Sequence, residues 1–425
     1  MLNVREAIDG VRVNDLVEQY GSPLFVYSEQ AIRFQYRQMH KAFATRYPNV
    51  EFAWSYKTNY LKAICSLMHQ EGAIAEIVSR MEYEKAKALA VPGKQIVFNG
   101  PYKPFETLLT AVGEGATVNV DHFAEIDDLD KVAARLDRKI AVGIRLNLDC
   151  GIRPQWSRFG FNLESGQASD AVKRIYKNGM LELNGLHCHL GTSILDVSAY
   201  GKAIEKLVKF GYQMRTEHRS EIESIDIGGG FASRSDSKSI HRSPDVKLPS
   251  HDEYAHAICE RLLDALEPGH RPKLVVESGR ALIDEAGYLI TSILAIKRLA
   301  DGTRAYIADA GINLLLMSLW YKFNVELDRE VVGDKQLSAV YGPMCMNIDV
   351  VDEGILLPSL QRGQRLILSP VGAYNNTQWL QFIEYRPNVV MVCDDGTVEL
   401  IREAEDLSDI ERRERLPAKL ACVKS

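Results

Sequence analysis

No Cys-x-x-Cys pair occurs in the chain, and its seven cysteines (Cys65, Cys150, Cys188, Cys259, Cys345, Cys393 and Cys422) are scattered and odd in number. That pattern speaks against a disulfide framework and a structural zinc, so a cysteine that matters is expected to matter as a thiol. No apolar run approaches the length of a membrane span. The start, Met1-Leu2-Asn3-Val4-Arg5-Glu6, lacks the basic opening and apolar core of a secretory leader, so the cytoplasm is the expected location. Basic residues are not in surplus: 51 Lys and Arg stand against 57 Asp and Glu, a net charge of −6, which gives nucleic acid no electrostatic footprint. Internal repeats are absent. What is present is a chain of 425 residues, 25 % of them charged, long enough to bury a large core and hold two domains.

Apolar runs at Phe52–Tyr56, Ala73–Val78, Gln95–Phe98, Ala116–Val120, Ala141–Leu146, Leu183–His189, Ile222–Ile227 and Leu274–Val276 read as strands. Amphipathic stretches alternate with them: Tyr60–Met68, Met81–Ala90, Pro104–Val112, Phe123–Leu136, Ala171–Lys177, Tyr200–Arg215 and Asp252–Leu266. The pattern predicts an α/β fold, a (β/α)8 barrel over residues 29–287, with a doubly wound open sheet as the structural rival. Nearly every run ends in something polar or glycine-rich: Lys57, Ser79, Asn99, Asp121, Arg145 with Asn147, His187 with His189, Gly228-Gly229-Gly230, and Glu277. A ring of such endings fits the barrel, whose chemistry gathers at the C-terminal ends of its strands.

After about residue 288 the texture turns to short β-rich runs with turn signals. They lie at Tyr288–Leu299, Arg304–Ile307, Val325–Leu327, Val331–Val332, Gln336–Tyr341, Arg365–Pro370, Val389–Val392 and Val398–Ile401. A second, mostly β domain is expected from residues 288–425 together with residues 1–28, whose strand Ser22–Tyr27 needs a sheet to join. Two polar loops, Asp149–Ser157 and Ser233–Ser250, read as surface loops or lids. The charged tail Ala404–Ser425 reads as a helix.

Lys57 ends a buried apolar strand, and lysine is seldom buried unpaired. It is either a side chain that snorkels to solvent or a desolvated amine able to form a Schiff base with a carbonyl compound. The run Ile225-Asp226-Ile227-Gly228-Gly229-Gly230-Phe231 ends the seventh strand. Its glycines can turn backbone N–H groups onto an anion, at the place where barrels hold phosphate, or make a sharp turn and nothing more. The eighth strand adds Glu277-Ser278-Gly279-Arg280, whose arginine suits a phosphate or carboxylate and whose glutamate suits a protonated ring nitrogen or a plain salt bridge. His187 and His189 share one strand face at a metal-ligand spacing, which opens a rival reading as a metal-dependent barrel hydrolase. The later strands supply glycines, Glu277 and Arg280 rather than further ligands, so no metal is expected.

A lysine, a phosphate cradle, a ring-sized histidine and a carboxylate on one barrel mouth describe a pyridoxal 5'-phosphate site. With its motifs Tyr56-Lys57-Thr58-Asn59, His189-Leu190-Gly191-Thr192, the triple glycine, Glu277-Ser278-Gly279-Arg280, Gly342-Pro343-Met344-Cys345 with Asp349, and Gly372-Ala373-Tyr374, the chain resembles the fold type III pyridoxal-phosphate decarboxylases. Within them it is more similar to diaminopimelate decarboxylase than to the eukaryotic-type ornithine enzyme. The resemblance implies that Lys57 holds the cofactor, that His189 lies against its ring with Thr192 close by, and that Glu277 keeps the ring nitrogen protonated. It also implies that Gly228, Gly229, Gly230 and Arg280, with Tyr374 from the β domain, surround the phosphate or the substrate carboxylate. Cys345 is implied to reprotonate the substrate carbon and to enter the site of the other subunit, making an obligate homodimer with shared active sites. Taken alone, Cys345 would read as a small buried apolar residue.

Two departures bear on the substrate. In the diaminopimelate decarboxylases that the chain resembles, a glutamate usually follows the cysteine and an arginine stands four residues ahead of a tyrosine; here these positions are Met346 and, ahead of Tyr321, Met317. An unpaired substrate charge in a closed site costs roughly 2–5 kcal/mol, and methionine makes a pocket apolar and adaptable. The expectation is therefore a decarboxylase whose amino-acid substrate has a less charged distal end, contacted by Arg280, Met317, Tyr321, Met346 and Tyr374. The alternatives are a true diaminopimelate decarboxylase and a non-catalytic homologue that binds and regulates one.

Overall fold

The computed structural model describes residues 3–238 and 247–421. Cys422, the last residues of the tail and the middle of the Ser233–Ser250 loop lie outside them. The chain falls into two compact units: Gln30–Ala286 with Gly372–Thr377, and the remainder.

In the first unit the apolar runs become eight parallel strands: β1 (Val50–Ser55), β2 (Ile74–Ile77), β3 (Ile96–Phe98), β4 (Thr117–Val120), β5 (Ile140–Asn147), β6 (Leu181–Cys188), β7 (Ser224–Asp226) and β8 (Lys273–Val276). Each pairs with the next, and β8 pairs with β1 (Leu274 opposite Val50), so the sheet closes into a (β/α)8 barrel and the open-sheet rival falls. Helices cross over between successive strands, as right-handed parallel connections require. The helix Phe123–Leu136 has its predicted bounds, and its N-cap His122 accepts a hydrogen bond from Glu125 N. Helix Glu29–Ala44, which precedes β1, was not among the predicted ones, although Ile32, Tyr36, Met39 and Phe43 give it a buried stripe at helical spacing. Polar side chains on the strands, such as Glu76 on β2 and Asn119 on β4, are buried, and they supply the chemistry described below.

In the second unit one long strand, Gly287–Arg298, organises the sheet. Its first half pairs with Leu24–Ser28 and Arg365–Ser369, and its second half with Arg304–Ala308. Leu24–Ser28 also runs parallel to Val389–Val392. Ile8, Val13, Leu16, Leu24, Val26, Ile290, Ile367 and Val390 form its core. Three expectations need correction here. Val350–Leu357 is a strand that the pattern did not announce, because Asp352, Glu353 and Gly354 interrupt it; pairing with Gln336–Tyr341 makes it one. Val331–Val332 forms no strand and leaves Val332 94 % exposed. The tail is not one helix: it has a short helix at Leu407–Glu411 and a single turn at Ala418–Leu420. No described helix is long and apolar enough to cross a membrane.

Candidate active site

Lys57 leaves β1 in a single helical turn, Tyr56–Thr58, between buried Tyr56 and Thr58. Its side chain is 38 % accessible, and its Nζ lies 2.5 Å from Glu76 Oε2, which also accepts from Ser55 Oγ at 2.6 Å. Burial pushes the Lys57 ammonium down, but Glu76 and then Glu277 outweigh it and hold its pKa above the ordinary lysine value. Of the two readings offered by the sequence, the desolvated amine requires a lowered pKa, and the neighbouring carboxylates prevent that lowering.

Glu277 follows β8 and is buried. Asn99, at the end of β3, donates from one Nδ2 to Glu277 Oε1 at 2.5 Å and to Glu76 Oε1 at 3.1 Å. His187 Nε2 stands 3.4 Å from Glu277 Oε2. Burial pushes Glu277 up, but His187 and Lys57 pull it below the usual carboxylate range, so it is ionised. The pKa of its neighbour Asp226 is raised by burial and by the charge of Glu277. Among the described residues, His187, Asp226 and Glu277 offer ligand atoms within 4.8 Å of one another, a group that includes one of the two predicted histidines and not His189.

His189 lies just beyond β6. Its Nδ1 accepts from Gly229 N at 3.0 Å, which leaves the ring proton on Nε2. Burial, then Arg145 and Lys57, lower its pKa to about 3, so the ring is neutral at ordinary pH. Trp156, from the loop read as a surface loop, sets its indole 5.4 Å from the His189 ring. Within that loop Arg153 pairs with Asp149 through both carboxylate oxygens, at 2.8 and 2.9 Å.

The triple glycine turns with φ of 66° at Gly228 and 90° at Gly230, a backbone that only glycine adopts easily. A Cβ on Gly229 would meet Glu277 O at 2.2 Å, so the turn presses against the end of β8. Tyr200 Oη donates to Gly229 O at 2.9 Å, and its ring stacks on Phe231 at 5.2 Å. Ile194 N donates to Gly230 O at 2.9 Å, which draws the segment carrying exposed Thr192 alongside the turn. Arg280 Nη1 lies 3.1 Å from Asp284 Oδ2, and its guanidinium lies 5.0 Å from the centre of the Tyr374 ring. Ser233 Oγ donates to the same Asp284 oxygen. Tyr374 was expected to come from the β domain; it belongs to the barrel unit, because Tyr374 N bonds Thr58 O at 2.8 Å and Thr377 Oγ1 bonds Lys57 O at 2.9 Å.

The remaining predicted residues lie in the second unit. Met317 and Tyr321 are buried at and just after the turn Leu316–Leu319; Cys345 is exposed and Met346 half-buried on the following bend. Asp349 ties these two segments together: Oδ1 accepts from Ile312 N at 2.6 Å and Oδ2 from Met344 N at 2.7 Å. Glu76, Asn119, Asp226 and Trp156 are the residues that sequence reasoning gave no role. A lone polar residue inside an apolar strand, as in Ile74-Ala75-Glu76-Ile77, was the available signal for the first three.

The barrel unit thus offers a lysine amine, an ionised buried carboxylate, a neutral imidazole, a glycine turn and an arginine. Group for group, this donor set suits the aldehyde, pyridine nitrogen, ring face and phosphate of pyridoxal phosphate. The sequence profile of the pyridoxal-dependent decarboxylases, pyridoxal binding domain, matches residues 30–284. The chain belongs to that family, a class of pyridoxal-phosphate-dependent carboxy-lyases. It is 31 % identical to diaminopimelate decarboxylase of Aquifex aeolicus over 94 % of this chain and 93 % of that one. The diaminopimelate decarboxylase of Methanocaldococcus jannaschii is 29 % identical over 97 % of this chain and 95 % of its own. A crystal structure of the M. jannaschii enzyme has a TM-score of 0.89 at 28 % identity and covers 99 % of this chain and 98 % of that one.

Proposed function

We propose that Lys57 carries the cofactor and that the barrel mouth removes the α-carboxylate of an amino acid as carbon dioxide. The observation that carries this reading is Lys57 held 2.5 Å from Glu76, in a group of buried residues that ends on ionised Glu277. When bound, pyridoxal phosphate supplies the electron sink for the pair left on the substrate carbon. Glu277, as an anion, would hold a proton on the cofactor's ring nitrogen, and His189, being neutral, would lie beside the ring without opposing that charge. The glycine turn and Arg280 would bind the phosphate or the substrate carboxylate, with Tyr374 steadying the guanidinium. Glu76 is the acceptor within reach of the proton that Lys57 must lose before its nitrogen can attack a carbonyl. Cys345 delivers a proton from Sγ to the carbon that has lost its carboxylate. We further propose a cytoplasmic homodimer in which the cysteine bend of a second copy completes each site.

The relatives' names favour diaminopimelate as the substrate, ahead of the less charged amino acid expected from the sequence. Met317 and Met346 are the specific observation that keeps the second reading alive. Carbon dioxide release is to be measured from meso-diaminopimelate beside a panel of amino acids of both hands. Fast release from diaminopimelate alone supports the first reading. Release from another member, with diaminopimelate poor, supports the second; the Met317→Arg, Met346→Glu double variant is then expected to gain about tenfold or more on diaminopimelate. No release from any member, with no cofactor that borohydride fixes onto Lys57, would leave the non-catalytic homologue.

A further inference from the structure

Asn99 touches both carboxylates on which the proposed chemistry turns, and nothing in that chemistry requires it. Its Nδ2 donates to Glu76 Oε1 and to Glu277 Oε1, while its Oδ1 accepts from Asn119 Nδ2 at 2.9 Å. The amide cannot be turned the other way, since its oxygen would then face two carboxylate oxygens with no proton between them. Asn119 is held in turn by space: a Cβ on Gly143 would lie 2.0 Å from Asn119 Oδ1, so only glycine at 143 admits this arrangement. Glu76, Asn99, Asn119 and Gly143 lie on or at the end of four successive barrel strands, β2 to β5, Glu277 reaches them from the end of β8, and Asn99 and Asn119 are both buried.

We infer that Asn99 is a positioning residue, a donor-only bridge oriented by Asn119 that fixes Glu76 and Glu277 as hydrogen-bond acceptors and so sets the proton balance between Lys57 and the carboxylate facing the cofactor ring. An amide N–H can only donate, so both oxygens facing it must accept. The bridge also ties together two carboxylates that would otherwise repel each other. A carboxyl group in its place puts a third acid beside the pair; burial and like-charge crowding raise its own pKa, and above that pKa the donor is lost and the added negative charge raises the proton affinity of the nitrogen at Lys57. Low-lying Glu277 agrees with this.

This inference rests on the assignment of Lys57 and Glu277 made above, and the parent protein tests that assignment separately. Borohydride treatment of the cofactor-loaded parent, followed by peptide mass analysis, must place the cofactor on Lys57; failure there overturns the assignment whatever the variants do. Asn99→Asp is then compared with the parent by following the visible absorbance of the bound cofactor against pH, together with the cofactor dissociation constant. The expected result is a titration midpoint raised by about one pH unit, a tenfold change in proton affinity, and cofactor binding weakened about tenfold, with the circular dichroism spectrum retained. Asn119→Ala, which removes only the orienting donor, is expected to move the midpoint the same way by a smaller amount. It decides the matter if Asn99→Asp does not fold. Midpoints of the folded variants that stay at the parent value, with or without weaker binding, would reduce Asn99 to a packing role and overturn the inference.

Discussion

Glu82 shows what a single side chain beside the site does to the whole protein. It sits in the first turn of the helix Arg80–Ala88, accepts from Val78 N at 2.7 Å, and is buried near Glu76. Burial, and then the like charge of Glu76, push its pKa up to about 7. A carboxyl whose folded pKa lies above its unfolded value keeps its proton in the folded state while the unfolded chain loses it. Stability therefore falls as pH rises from the ordinary carboxylate value to about 7, and the penalty persists above that. Glu82→Gln keeps an acceptor for Val78 N and removes the charge. Its unfolding free energy relative to the parent is expected to improve by on the order of 2 kcal/mol between pH 5 and pH 8, read from urea unfolding at the two pH values. Parallel curves would show that Glu82 does not titrate in this range. At this scale Lys57, Glu277 and the triple glycine were legible because each breaks an apolar run in a chemically unusual way. The direction of the Lys57 shift was not legible, since it depends on Glu76 and Glu277, which only folding brings to it.

Among the elements, the bend carrying Cys345 owes its shape to one carboxylate. Asp349 accepts from Met344 N within the bend and from Ile312 N on the preceding segment, and it is buried. Replacing it with alanine leaves two N–H groups without their acceptor, each worth about 1–3 kcal/mol when buried. Asp349→Ala is expected to lose on the order of 3 kcal/mol of stability, while Asp349→Asn, which retains one acceptor oxygen, loses about half as much. Denaturant unfolding checks this; a loss below about 0.5 kcal/mol for the alanine variant would mean that the bend holds itself. The barrel strands were readable because strands buried on both faces are nearly continuous apolar runs. Val350–Leu357 was not, because its partner strand rather than its own sequence makes it a strand.

For the whole molecule, the proposed shared site makes a prediction that neither unit makes by itself. The β unit exposes Trp320 (49 %), Ile348 (50 %) and Ile383 (60 %), side chains suited to burial against a second copy. Sedimentation at micromolar concentration is expected to give twice the 47.7 kDa chain mass. Lys57→Ala and Cys345→Ala are each expected to be inactive as pure proteins. If they exchange subunits, half of the dimers are mixed and each mixed dimer has one intact site, so about a quarter of the parent activity returns. No recovery on mixing, with subunit exchange shown by mass, would place lysine and cysteine of each site on the same chain.

The sequence by itself determined the barrel, the cofactor chemistry and the family, because these depend on residue type at fixed places along the chain: apolar runs of strand length, and polar or glycine endings on them. Tertiary structure decided what depends on neighbours distant in sequence. It closed the sheet by pairing β8 with β1, moved Tyr374 to the barrel through its bond to Thr58, and made a strand of Val350–Leu357. It also set the charge of the site, because Glu76, Asn99 and Glu277 meet only at the closed mouth, and the balance of burial against charge is fixed by that meeting.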